Sequence, residues 1–214
     1  MKTGTINNYV KFSTNFGGVR KCYEGKPTIA VGGFMCETAL MPQNGAVMAA
    51  GTLVYADEQA RTIVPIYTFR VKDVSSENKT ITVEKFETGS IAKEGMKLLV
   101  VGDNLATAAT KVATITAVNS SASNVDVLTV DDLAGIKADD VIAEAGEDSK
   151  IKAIPNGLTY CDNVLDPDAY AIDIDFIWNC MEKPVLERRM PPLTASIKKA
   201  LRDNECYFRF SNRK

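Results

Sequence analysis

Val71-Lys72-Asp73-Val74-Ser75-Ser76-Glu77-Asn78-Lys79-Thr80-Ile81-Thr82-Val83 returns, in altered form, as Ile115-Thr116-Ala117-Val118, a polar stretch Asn119 to Asn124, and Val125-Asp126-Val127-Leu128-Thr129-Val130. Each version is two β-runs round a polar turn. Each is then followed by a short connection and a third apolar run, Ile91 to Met96 in the first and Ile136 to Val141 in the second. The repeat period is about 45 residues, the scale at which one supersecondary unit recurs. A single unit would leave its strands with an unburied face, whereas two can pair and close on each other. The stretch therefore predicts a small duplicated β-barrel.

The flanks have a different texture. Thr28-Ile29-Ala30-Val31 runs into Gly32-Gly33, and Phe34 to Leu40 follows as a mixed apolar run. Met41-Pro42-Gln43-Asn44-Gly45 has turn chemistry, because proline presets φ and glycine accepts positive φ. Gly51 to Ala56 and Arg61 to Ile66 read as strands around an exposed turn, Asp57 to Ala60. Pro65 cannot donate a ladder hydrogen bond and is expected at an edge or bend. Beyond the repeat, Pro155-Asn156-Gly157 and Asp166-Pro167-Asp168 turn the chain. Ala169 to Trp178 alternates as a half-buried strand, with Ile172, Ile174 and Phe176 inward and Asp173 and Asp175 outward. Pro191-Pro192 introduces one helix, Thr194 to Arg202, with Leu193, Ile197 and Leu201 on one face, and Cys206 to Phe210 closes the chain as a strand. The fold expected is mainly β. A docking arm (1–27) precedes a β-rich base (28–70 plus 151–214), which an inserted β-module (71–150) interrupts at a point where the two ends lie close together.

Composition bounds the chemistry. The 214 residues are 45% apolar and 24% charged, ordinary for a globular chain. No stretch has the length and apolarity of a membrane span, and Met1 to Lys21 shows no signal-peptide pattern, so synthesis in a cytoplasm is expected. Histidine is absent, which removes the usual general base and most zinc sites. The five cysteines (22, 36, 161, 180 and 206) have irregular spacing and read as small buried hydrophobes kept reduced. No catalytic residue and no cofactor is expected. Asp166, Asp168, Asp173 and Asp175 are the best metal candidate, but they lack the glycine bend and distal glutamate of a calcium loop, so no metal is expected. Gly17-Gly18 and Gly32-Gly33 match no phosphate-binding loop.

The net charge of −2 is unevenly placed. Residues 1–27 carry five Lys/Arg against Glu24, and residues 182–214 carry nine against four acids, so the ends are +4 and +5 and the middle is −11. Basic ends suit an acidic partner. No basic run with stacking aromatics marks a nucleic-acid site, and direct nucleic-acid binding is not expected. Phe12, Phe16 and Arg20 in the arm, and Arg188, Arg189, Lys198 and Lys199 around the helix, are the candidate interface residues.

Ala50-Gly51-Thr52-Leu53-Val54-Tyr55-Ala56-Asp57 with Ile63-Val64-Pro65 resembles the opening of the lambda-type head decoration proteins of tailed bacteriophages. Ala169 to Cys180, Leu186 to Pro192, Thr194 to Leu201 and Phe208-Arg209-Phe210 resemble that family's closing strand, turn, short helix and terminal strand. The resemblance covers about half the chain, and the inserted module has no counterpart in the simplest members. It implies a non-enzymatic virion protein, assembled in the host bacterial cytoplasm, that binds the major capsid protein on the outside of the head as a homotrimer. Two other readings come from different classes. One is a tail or baseplate β-module that binds a carbohydrate or host surface, and the other is a hydrolase built on paired carboxylates.

Overall fold

The computed structural model describes residues 21–37, 40, 47–164 and 171–213. Strands β1 (Thr28–Glu37), β2 (Val47–Met48), β3 (Leu53–Asp57) and β4 (Thr62–Ile66) come first. Six strands follow: β5 (Thr68–Ser75), β6 (Thr80–Glu84), β7 (Lys97–Val100), β8 (Ala113–Asn119), β9 (Val125–Val130) and β10 (Val141–Glu144). The chain ends with β11 (Gly157–Thr159), β12 (Asn163–Val164), β13 (Ala171–Leu186), helix α1 (Ala195–Asp203) and β14 (Tyr207–Ser211). The protein is mainly β with one α-helix among the described residues, as its sequence predicts.

Strands β5 to β10 form a closed barrel in the order β10-β5-β6-β9-β8-β7. Its two halves are related by an approximate two-fold axis that the register makes explicit. Strands β6 and β9 pair about Ile81↔Leu128, with Thr80↔Thr129 and Thr82↔Val127 on either side. Strands β7 and β10 pair about Leu99↔Ala143, with Ile142↔Val100 and Glu144↔Leu98 on either side. The same register skip follows Val71 in β5 and Ile115 in β8. Such a bulge bends a strand, and placing one in each hairpin helps six short strands close. Even the strand-entry contacts repeat: Val71 N donates to Asp140 O and Ile115 N to Met96 O, both at 2.9 Å. Alternating side chains fill the barrel, with Ile81, Val83, Leu98, Ile115, Leu128 and Ile142 almost wholly enclosed.

The third apolar run of each copy leads into the third strand, since β7 begins at Lys97 and β10 at Val141. Ile91, Ala92, Met96 and Ile136 are buried parts of the preceding connections, which plug the barrel. Side-chain apolarity marked the burial there but not the backbone state. The barrel begins at Thr68, so the expected boundary at 71 falls inside β5. Thr68 pairs with Ala143, which places the entry and exit strands side by side.

The remaining strands make a six-stranded sheet in the order β1-β4-β3-β11-β13-β14, and β1 also pairs with β13. Hydrogen bonding thus runs round from β1 through β4, β3, β11 and β13 back to β1. Beyond the Met35↔Thr62 contact, β4 pairs with β3 alone among the described strands, so Pro65 has an open edge beside it. Asn156 extends the β3 ladder with its side chain, accepting from Ala56 N at 2.7 Å and donating to Ala56 O at 2.8 Å. Gly157 was expected in a turn but opens β11. A Cβ there would lie 2.4 Å from the Phe176 ring, so glycine is required by close packing.

Strand β13 continues well past the expected end, to Leu186. Its second half pairs with β14 in parallel through Asn179↔Tyr207, Cys180↔Phe208, Val185↔Phe210 and Leu186↔Ser211. On its other side Leu186 N donates to Cys22 O at 2.7 Å, and Tyr23 bridges Val185. Residues 22 and 23, expected in the arm, are therefore buried in the base, and Tyr23 stacks on Tyr160 at 5.5 Å. The rest of that arm, through Arg20, lies outside the described residues.

Helix α1 matches its expected span. Thr194 Oγ1 caps it by accepting from Ile197 N at 3.3 Å, and Ile197 and Leu201 are wholly enclosed. The barrel interior is continuous with the layer around Phe34 and Phe176, and Tyr67, fully buried, occupies the joint between β4 and β5.

Candidate functional site

The proposed interface residues separate into distinct settings. Lys198 Nζ lies 2.8 Å from Glu187 Oε2 and over the Phe210 ring at 5.4 Å. Lys199 Nζ reaches Asp203 Oδ2 at 2.6 Å, one helical turn on. Successive helix positions point in different directions, so these two lysines do not make one patch. Arg188 and Arg189 belong to a 3-10 turn, Glu187–Arg189, in which Arg188 is exposed and Arg189 half-buried. Phe12, Phe16 and Arg20 lie outside the described residues, as do Asp166 and Asp168. Asp173 and Asp175 are exposed on β13, and no group of three or more metal-ligating side chains occurs among the described residues.

What the structure adds is an apolar surface on the base. Trp178, Met181 and Tyr207 are exposed at the β13–β14 pairing, with Arg209 on the same outward parity as Tyr207. Trp178 is the extra residue of a bulge, since Thr28 pairs with Asn179 and Ile29 with Ile177. Alternation in Tyr207 to Phe210 carried part of this signal. The bulge at Trp178 had no sequence mark. Residues 22–24 and the C-terminal strand meet in this region, where Arg213 Nη2 lies 3.0 Å from Glu24 Oε1. Residues 182–213, with eight Lys/Arg against four acids, thus lie beside the second half of β13, while residues 68–150 carry a net charge of −5.

A cleft of about 390 Å³ lies between the barrel and the turn that leads into α1. Thr68, Phe69 and Arg70 of β5, Phe86, Glu87 and Gly89 of the turn after β6, Asp126 of β9, Arg188, and Met190 to Leu193 line it. Asp126 shares the inward parity of Leu128 and Val130, and the sequence alternation alone places a carboxylate on a buried face. It is 2% exposed, and Lys85 Nζ lies 3.2 Å from its Oδ1. That contact is an ion pair without hydrogen-bond alignment, because the ammonium is directed at the carbonyls of Ser120 (2.7 Å) and Ala122 (2.6 Å). Asp126 Oδ1, Thr68 Oγ1, Thr88 Oγ1 and Ser90 Oγ are all buried without a hydrogen-bond partner. Leaving such an atom unpaired costs about 1–3 kcal/mol, and two of the four, on Thr68 and Asp126, belong to residues that line the cleft.

A second polar cluster sits at the joint between barrel and base. Glu144 Oε1 accepts from Lys152 Nζ at 2.8 Å, both side chains being largely buried. Desolvation holds the Lys93 ammonium below its usual pKa, with Glu144 opposing that shift and Lys152 adding to it. Burial pushes the Cys36 thiol up to about 12 and the Tyr67 phenol well above its ordinary value. Both groups therefore stay protonated at neutral pH, and Cys36 is a poor nucleophile. All five cysteines are free thiols, four of them buried. Among the described residues no helix is long and apolar enough to cross a membrane.

No protein family, curated protein or solved structure matches this chain.

Proposed function

We propose that this chain is a non-enzymatic structural component of a phage virion that binds the outer surface of the head and carries the barrel as a projection. The observation that supports the reading most is the segregation of charge by region. The basic C-terminal segment packs with residues 22–24 on one part of the base, beside exposed Trp178, Met181 and Tyr207, while the barrel is acidic. Exposed aromatics with arginine are the composition of interface hot spots, and the positive ends would steer the base toward an acidic shell. The arm, through Phe12 and Phe16, would add main-chain pairing along a strand edge of the major capsid protein. Homotrimers at three-fold positions would multiply a modest single-site affinity.

Cosedimentation with purified heads tests this. Full-length protein should pellet with heads, removal of residues 1–20 should weaken attachment, and Trp178→Ala with Tyr207→Ala should weaken it about tenfold or more. A chain that never pellets with heads removes the reading. Sedimentation of the free and head-bound protein tests the trimer, which an interface completed by the shell would favour only on the particle.

A second reading, a tail or baseplate module that recognises a carbohydrate, is favoured by one observation, the unpaired Thr68 hydroxyl and Asp126 carboxylate oxygen in the cleft.

A further inference from the structure

We infer that the cleft between barrel and base is a binding site for a neutral saccharide. The argument starts from charge balance. Glu84 is flanked by Lys72 at 3.4 Å and Arg70 at 4.0 Å, Asp126 by Lys85, and Glu187 by Lys198. With Arg188 and Glu87, which also line the cleft, these are five cations against four carboxylates, so an entering ion meets a surplus of a single charge among groups already engaged with one another.

What remains unmet is hydroxyl chemistry. Thr68, 2% exposed, lines the cleft with an unpartnered Oγ1. Asp126 Oδ1, also in the lining, can still accept a hydrogen bond. A sugar hydroxyl both donates and accepts, so adjacent hydroxyls can satisfy a carboxylate oxygen and a threonine together. The apolar part of the lining fits the other face of such a ligand. Phe86, Met190 and Pro191 present carbon surfaces against which the C–H face of a pyranose can pack. Arg188 and Asn212 at the rim add exposed donors. The volume is within the ordinary range for a small-molecule site.

The two-fold relation of the barrel gives an independent comparison. The connection from β6 to β7 spans residues 85–96, whereas its counterpart from β9 to β10 spans 131–140. The longer one carries the Phe86–Gly89 turn and Ser90. The matching turn in the second copy, Leu133–Ile136, closes the same way, with Ile136 N donating to Leu133 O at 2.9 Å. Gly135 and Lys137 stand where the first copy has Thr88 and Ser90, so those two buried hydroxyls belong to one copy alone.

The test is nuclear magnetic resonance of the isotope-labelled full chain titrated with glucose, galactose, mannose, N-acetylglucosamine, maltose, lactose and chitobiose at millimolar concentration. Arginine and acetate serve as charged controls. At least one saccharide should shift the amide signals of Thr68, residues 86–91 and Asp126. Thr68→Val, nearly isosteric, should weaken that binding about tenfold, the size of one hydrogen bond. If Thr68→Val loses the barrel's spectrum, Phe86→Leu carries the test with the same expected weakening. The inference is overturned if no saccharide shifts these signals, if a charged control binds more tightly, or if the folded variant binds as well as the parent. The measurement uses the free chain without heads, so its failure and a failure to cosediment are separate results.

Discussion

The two halves of the barrel share a backbone and differ in chemistry. Aligned by register, Val71 matches Ile115, Ile81 matches Leu128, and Val83 matches Val130. These positions are apolar and buried in both copies. The halves part company where one of them faces the base. Glu144, paired with Lys152, stands where the first copy has Val100, and buried Asp126 stands where the first copy has Lys79. Closing a barrel from two units constrains the central inward positions and the bulge, and it leaves the positions at the ends of the strands free to diverge.

The largest test of that distinction is Lys152→Met. Removing one partner of a buried pair strands the Glu144 carboxylate and should cost about 3 kcal/mol in urea unfolding. Adding Glu144→Val, which restores the first copy's residue, should recover most of the loss. A double variant as unstable as the single one would show that Glu144 has a structural role of its own.

Next come Ile81→Ala and Leu128→Ala, made separately at the pair on the two-fold axis. Each should cost about 2–4 kcal/mol, and the two values should agree within about 1 kcal/mol. A wide disparity would show that the copies do not share the core equally.

A smaller effect belongs to the strand entries. Gly95 (φ 80°) and Asp139 (φ 68°) occupy matching places, donating to Ile115 O and Val71 O. Asp139→Gly should stabilise by about 0.5 kcal/mol, and Gly95→Ala should destabilise by about 1 kcal/mol or more.

The smallest effect depends on pH. Asp131 accepts from Thr114 N at 2.7 Å, and that bond lowers its carboxyl below the usual value. Because the folded value is depressed, its stabilisation is present at neutral pH and is lost as pH falls through that depressed value. Asp131→Asn should therefore lower the urea midpoint at pH 7. The gap to the parent should close under acid conditions, and a gap that persists there would assign the effect to packing.

How much of this was legible follows the same division. The four hairpin strands of the barrel could be read because each alternates with one face inward, as Val125 to Val130 does. The connections could not, since Ile91 and Met96 are as apolar as a strand while serving as plugs. Met181-Glu182-Lys183-Pro184 was equally opaque, being polar and holding a proline. It lies between the Cys180↔Phe208 and Val185↔Phe210 pairs that hold β13 to β14 on either side, and Glu24 N donates to Pro184 O at 3.3 Å. The cleft draws on residues from Thr68 to Asn212, and no local pattern announces such a convergence. Only the parity of Asp126 hinted at it. The basic residues around α1 were legible as charge, but their partners Glu187 and Asp203 show that two of them are engaged within the chain.

The side-by-side placement of β5 and β10 has a mechanical consequence. A pull on the barrel away from the base enters through Thr68 and Glu144, on neighbouring strands drawn in the same direction. The bonds between those two strands slide past nothing and carry almost no load. The force passes instead to the ladders β5–β6 and β10–β7, which it loads lengthwise, so their hydrogen bonds resist together rather than opening one after another. A barrel mounted this way is stiff against being plucked off, whereas prising β5 and β10 apart sideways would open it a bond at a time.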